Sequence, residues 1–337
     1  MVSKRTADDG SEADESLQDL HAKYAAFYRN DQCGIVGTGP YTTMQKVKMG
    51  LACVCLLPVV RLTVCTSCMV LIFMGCKFSK ILPRSWQRGF VSTWGRAWAR
   101  AFLFALGFYY IRETYDSPKD TKTTKPPPPI ISNHIGMWDI LYFMSSHYPS
   151  FVANSGVAKI RMVGTICESM GSMFIRRNAD DVTHGDAAVK GNAARMVERL
   201  TDPTAPRMLI FPEGTTTNGK SLLPFKRGPF LAKVPVQPVL LQYDYKHFSP
   251  AWESIAPMPS LALMSVQWVN TLRVQYLPVY TPSEAEKADP ELYASNVRLA
   301  MAKAGGLGLS KLTLEDKRVY HSQINPKPAS KADKKDT

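Results

Sequence analysis

Residues 49–76, MGLACVCLLPVVRLTVCTSCMVLIFMGC, contain one charge, Arg61, in 28 consecutive positions. A run of this kind limits the available folds, because about 20 apolar residues already cross the hydrocarbon core of a bilayer. Arg61 lies near the middle, three positions after Pro58. A guanidinium at bilayer depth costs about 2.5–3.5 kcal/mol on insertion scales. Two arrangements suit the run: a membrane-embedded helical hairpin bent near residues 58–61, or a single transmembrane helix. The hairpin is the favoured expectation. Lys46 and Lys48 precede the run and Lys77, Lys80, Arg84 and Arg88 follow it, so the charge distribution fits both ends facing the cytosol.

The flanks divide the rest of the chain. Residues 1–45 form a polar arm without the basic-then-apolar order of a cleaved signal peptide, and a disordered or loosely helical conformation is expected for most of it. The membrane-embedded segment and its neighbour occupy 46–112. Within it, residues 85–112 interleave Trp86, Trp94 and Trp98 with arginines among apolar residues, as in a helix lying at the headgroup level. Residues 113–129 are a Pro-rich linker. From 130 to 322, short apolar runs such as IIS, SMFI and RMLIF alternate with helical stretches, which predicts an α/β domain with a mostly parallel sheet flanked by helices. A Lys-rich tail, 323–337, is expected to be disordered.

Forty-one Lys and Arg against 28 Asp and Glu leave a net charge of +13, which favours polyanionic partners. No helix-turn-helix signature, zinc-finger spacing or RNP-like run is present, so no nucleic-acid partner is expected. A membrane surface and phosphate-bearing small molecules remain. Five of the seven cysteines fall inside the apolar run, against the spread of a disulfide framework. Cys65 and Cys68 form a CxxC with no second ligand pair, so they are expected to pack, with no metal bound.

Three constellations carry polar chemistry. In ISNHIGMWDI, residues 131–140, a strand delivers His134 to a turn and Asp139 falls in the first turn of the next helix. That spacing brings a carboxylate to one imidazole nitrogen and leaves the other to accept a proton. The same spacing also fits a structural histidine beside a helix cap. In GSMFIRR, residues 171–177, Gly171 permits a tight approach, Phe174 suits a strand, and Arg176 and Arg177 end it with planar donors matched to phosphate. In LIFPEGTTTNGKSLLPFKRG, residues 209–228, Glu213, Gly214 and Thr215 open a loop that presents N–H groups and hydroxyls to an anion, with Lys226 and Arg227 close in sequence.

In this order, and with VPVQP at 234–238, these motifs resemble the membrane-bound glycerolipid acyltransferases. The segments SNHIGMWDI, FPEGTTTNG and HFSPAWES are similar to the lysophosphatidylcholine and lysophosphatidylethanolamine acyltransferase branch. Gly136 stands where many relatives carry serine, and Arg176 where many carry an acidic or amide residue. The resemblance implies transfer of a fatty acyl group from acyl-CoA, as co-substrate, to a lysophospholipid, with no bound cofactor. His134 would be the base and Asp139 its orienting acid; Gly171, Phe174, Arg177, Glu213, Gly214, Thr215, Lys226, Arg227 and Pro235 would surround the substrate. Lysophosphatidic acid and glycerol 3-phosphate remain alternative acceptors, and a non-catalytic lipid-binding protein is a third reading. No EF-hand loop follows residue 280. Lys334 and Lys335 near the C-terminus resemble an endoplasmic-reticulum retrieval signal, which requires a cytosolic tail.

Overall fold

The computed structural model describes residues 19–28, 41–116, 127–175, 185–244, 248–251 and 257–324. Arg176, Arg177, most of the Pro-rich linker and the C-terminal Lys-rich tail lie outside them. A seven-stranded sheet runs in the order β1 (Ile111–Tyr115), β8 (Leu272–Tyr276), β7 (Gln237–Tyr243), β2 (Ile130–Ser132), β5 (Met208–Ile210), β3 (Ser150–Asn154), β4 (Met173–Ile175). Every pairing within it is parallel except β7 with β8. A two-residue strand β6 (Ser221–Leu222) pairs with β9 (Gly308–Leu309) in a separate ribbon. The mostly parallel α/β architecture expected from the strand-helix alternation is therefore present.

Neighbouring residues in the central strands serve opposite layers. Ile130, Leu209, Val239 and Leu241 enter one hydrophobic cluster; Ile131, Met208, Ile210 and Leu240 enter another. Alternate side chains leave opposite faces of a strand, so a sheet apolar on both faces must be covered twice. The second cluster is closed by Tyr293, Val297 and Met301 from the helix Pro290–Gly305. The first is closed by the helix Met137–Ser146 and by the apolar run itself.

That run divides differently from the expected hairpin. Helix α1 (Thr43–Val54) ends at Cys55, Leu56 takes the left-handed conformation at φ 53°, and α2 (Leu57–Ser79) continues unbroken for 23 residues. Pro58 sits in the first turn of α2, where its missing N–H is not needed. The bend thus precedes residues 58–61, and two equal arms are not formed. Helix α2 is long and apolar enough to cross a membrane by length and composition. It nevertheless buries a stripe of Arg61, Cys65, Cys68, Ile72 and Cys76 at helical spacing. Cys65 and Cys68 are free thiols packed in this stripe.

Arg61 is 3% exposed. Its guanidinium donates to the carbonyls of Ser265 (3.0 Å), Gln267 and Trp268 (3.0 Å) and to Tyr109 Oη (2.8 Å). At the other end of α2, Cys76 Sγ lies 3.0 Å from Ser169 Oγ. A helix of this length spans about 34 Å, and both its ends touch the same domain.

Helix α3 (Arg84–Ala105) packs against α2 and contributes Val91, Ala99, Phe102 and Leu103 to the core. Three of its four arginines, Arg88, Arg96 and Arg100, donate to protein carbonyls. Arg88 donates to Met170 and Tyr148, and Arg100 to Phe108 and Tyr109. The helix also ends earlier than 112, because β1 follows and joins the sheet beside β8. In the polar arm, residues 19–28 are folded, with Tyr24, Ala26 and Phe27 buried.

Replacing Arg61 with Met removes four hydrogen bonds and takes the donor from the carbonyl of buried Ser265, at a cost of about 1–3 kcal/mol for a buried group left unsatisfied. The thermal midpoint in detergent should fall by several degrees. An unchanged midpoint would mean that α2 is not held by this contact.

Candidate active site

The parallel strands β2 and β5 end together beside the longer β7, and ligand sites in such sheets lie at the carboxyl ends. The ladder of β2 stops at Ser132. Asn133 then extends it with its side chain: Nδ2 donates to Leu241 O at 3.0 Å and Oδ1 accepts from Leu241 N at 2.8 Å. This frees the main chain to turn at His134.

The helix that follows, α4 (Met137–Ser146), carries Asp139 in its first turn. The Asp139 carboxylate is fully buried. Its Oδ2 accepts from Ile135 N (2.6 Å) and Gly136 N (2.9 Å) and lies 2.8 Å from His134 Nδ1; Oδ1 accepts from Tyr243 Oη at 2.6 Å. A buried carboxylate needs such donors to remain charged. Because it only accepts, the imidazole proton belongs on Nδ1 and Nε2 is left as the acceptor. The ring stacks on Phe211 at 4.0 Å between centroids and keeps 18% of its surface exposed.

The loop after β5 fixes the histidine main chain. Glu213, 2% exposed, accepts from His134 N (3.0 Å) and Leu223 N (2.9 Å), while Thr217 N donates to His134 O (2.8 Å). Glu213 therefore positions backbone. Arg298 lies within electrostatic reach of Glu213: burial pulls its guanidinium below its usual range and the Glu213 carboxylate opposes that shift. Gly214 has φ 71°, and a β-carbon there would come within 2.9 Å of Lys226 Nζ. That geometry brings Lys226 to the loop, next to Gly214 and Thr215. Arg227 points elsewhere, pairing at 3.3 Å with Glu291 at an exposed surface.

Gly171, at φ 73°, precedes the edge strand β4, and its carbonyl accepts from Arg199 at 2.8 Å. Phe174 lies in β4 and packs against the main core. Arg177, the expected phosphate ligand of this motif, lies outside the described residues. Pro235 is not brought to the site. It precedes Gln237, which pairs with the first residue of β2, so about 20 Å of strand separates it from the level of His134. Among the described residues, no group of three or more His, Cys, Asp or Glu side chains is arranged to hold a metal.

Two contributors escaped sequence reasoning. Asn133 adjoins His134 and would be flagged only by knowing that β2 ends there. Tyr243 closes an apolar strand and reads as core until the pairing of β7 with β2 places it beside Asp139.

Residues 117–242 match the Acyltransferase family. Lysophospholipid acyltransferase LPEAT1 of Arabidopsis thaliana is 36% identical over 92% of this chain and 88% of its own length. Lysophosphatidylcholine acyltransferase 1 of Danio rerio is 33% identical over 82% of this chain and 53% of its own, so the chain spans about half of that relative. Among solved structures, the 1-acyl-sn-glycerophosphate (LPA) acyltransferase PlsC from Thermotoga maritima shares the fold, with a TM-score of 0.51 at 16% identity over 80% of this chain and 100% of the other. Fold, site and sequence match together define an acyltransferase. Within that class, the chain belongs to the family of the lysophospholipid acyltransferases.

Asp139→Asn keeps the shape but presents an amide donor where the Nδ1 proton must point, disfavouring the productive tautomer. By analogy with other His–Asp pairs, kcat should fall on the order of 10³–10⁴-fold. Lys226→Ala should raise the acceptor KM, whereas Arg227→Ala should leave both constants nearly unchanged. Steady-state kinetics on the three purified variants check all of these outcomes; a larger effect at Arg227 than at Lys226 contradicts the geometry.

Proposed function

We propose that the enzyme transfers a fatty acyl group from acyl-CoA to the free glycerol hydroxyl of a lysophospholipid, with lysophosphatidylcholine or lysophosphatidylethanolamine as acceptor. The observation that carries this reading is the His134 imidazole, held at Nδ1 by a buried, four-donor carboxylate and left free to accept at Nε2. A thioester is already activated, so the protein's task is to deprotonate the hydroxyl and hold both substrates. Nε2 takes the hydroxyl proton as the oxygen adds to the thioester carbonyl. Collapse of the tetrahedral intermediate expels the CoA thiolate, which recovers the proton from the imidazolium. General-base assistance of this kind contributes about 10²–10⁴-fold. No acyl-enzyme is required.

In this reading Arg177 and Lys226 bind acceptor phosphate beside the loop of Glu213, Gly214 and Thr215, while Gly171 and Phe174 shape the edge strand that leads to Arg177. The names of the relatives support a lysolipid acceptor over glycerol 3-phosphate. Membrane contact is supported by the exposed apolar side chains of α1 and α2, among them Val47, Leu51, Val54, Val59, Val60, Val64, Met74 and Phe78. Lysolipids reside at such a surface and CoA stays in water. The proposed residence is the endoplasmic-reticulum membrane, with the catalytic domain facing the cytosol, where acyl-CoA is available.

The test is the purified enzyme with labelled acyl-CoA against lysophosphatidylcholine, lysophosphatidylethanolamine, lysophosphatidic acid and glycerol 3-phosphate. One of the first two should be the preferred acceptor. His134→Ala should lose at least about 10²-fold in kcat with an unchanged thermal midpoint. Near wild-type turnover by that variant removes the proposed mechanism, and preference for glycerol 3-phosphate removes the proposed acceptor.

A further inference from the structure

The loop that fixes the His134 main chain is itself fixed by the two ends of the chain. Thr217 is fully buried, and the next residue, Asn218, is 1% exposed. Asn218 N donates to Ala26 O at 2.9 Å, and its Nδ2 donates to Ala25 O (2.7 Å) and Tyr28 O (2.9 Å). Its Oδ1 accepts from Lys220 N at 3.1 Å. Both amide donors and the amide acceptor are therefore engaged, and three of the four bonds reach one short segment near the N-terminus.

From the other end, the helix Leu314–Ile324 sends Lys317 to the residue before Thr217. Lys317 Nζ donates to Thr216 O (2.8 Å) and Thr216 Oγ1 (2.7 Å) and lies 5.6 Å from the centroid of the Phe27 ring. The two ends also share an apolar cluster in which Tyr24, Ala26, Phe27, Leu223 and Tyr320 are buried, with the Tyr24 and Tyr320 rings 5.4 Å apart. A turn of ten residues has no core of its own. It is folded because this loop and this helix complete it.

We propose that residues 19–28 act as a positioning strap for catalysis, holding Asn218 from the N-terminal side while Lys317 holds Thr216 from the C-terminal side, so that Thr217 between them is fixed. The strap touches no reacting atom. It acts through Thr217 N on His134 O, and so on where Nε2 meets the substrate hydroxyl. This rests on His134 being the base. A displacement of about 1 Å at such a group costs up to about 10²-fold in rate, so the strap governs kcat more than KM.

The experiment uses the full chain in detergent micelles with acyl-CoA and the preferred lysolipid, and kcat is normalised to folded enzyme by thermal melting. Asn218→Ala should lower kcat by about 10- to 10²-fold while KM changes less than about threefold. Lys317→Met keeps an unbranched stem near Phe27 but loses both bonds to Thr216. It should lower kcat in the same way, and the double variant should fall short of the product of the two effects, because both release one loop. Phe27→Leu should keep more activity than Phe27→Ala, and Ala22→Ser, on the exposed side of the segment, should match wild type. If Asn218→Ala does not fold, Lys317→Met decides. A kcat per folded enzyme within about twofold of wild type, or a change confined to KM, overturns the strap. In that event an inactive His134→Ala still leaves the catalytic base in place, whereas an active His134→Ala removes the base whatever the strap does.

Discussion

A carboxylate without surface exposure needs donors for both oxygens, and Asp139 draws them from two separate parts of the chain. Two backbone N–H groups come from the turn after β2, the imidazole from the same turn, and a hydroxyl from the end of β7. Satisfying that charge therefore requires β7 to lie beside β2 and α4 to begin where it does. The neighbouring of β2 and β7, the start of the helix and the tautomer of His134 are all tied to one desolvated group. Breaking one partner away would leave a buried charge under-coordinated, which is more costly than the mean value of a hydrogen bond.

The same logic repeats outward. His134 is held by the loop after β5 through both its backbone polar groups, and that loop is held by elements from both ends of the chain. The placement of His134 thus depends on contacts between residues separated by most of the sequence. The His134 imidazole also sits on an aromatic ring, Phe211, which belongs to that loop. Ring, carboxylate and backbone clamps limit the imidazole from different directions.

The sheet, the His134/Asp139 pair and the apolar run were legible because each is written in local spacing. Five residues across a strand-to-helix turn suffice to join His134 to Asp139, whatever the rest of the chain does. Glu213 was harder: its partners are backbone groups at positions 134 and 223, which no side-chain pattern announces. Lys226 and Arg227 are neighbours in sequence, yet one lies over Gly214 and the other pairs with Glu291. Pro235 belongs to a motif, but strand direction carries it to the far end of β7. The arginines of α3 have the composition of a lipid-facing helix, and only tertiary contacts show donors of Arg88, Arg96 and Arg100 spent on protein carbonyls.

Helix α2 shares its buried stripe with the catalytic core and supplies part of the layer over one face of the sheet. The apolar helix and the enzyme domain are consequently one folding unit. A truncated protein that begins after residue 80, the usual route to a water-soluble form of a membrane-attached enzyme, would lose a wall of its interior. It would expose the apolar face that α2 covers and aggregate where a true tether could have been cut without harm. Solubility in this protein has to be sought by changing the outward side chains of α2, with the helix left in place.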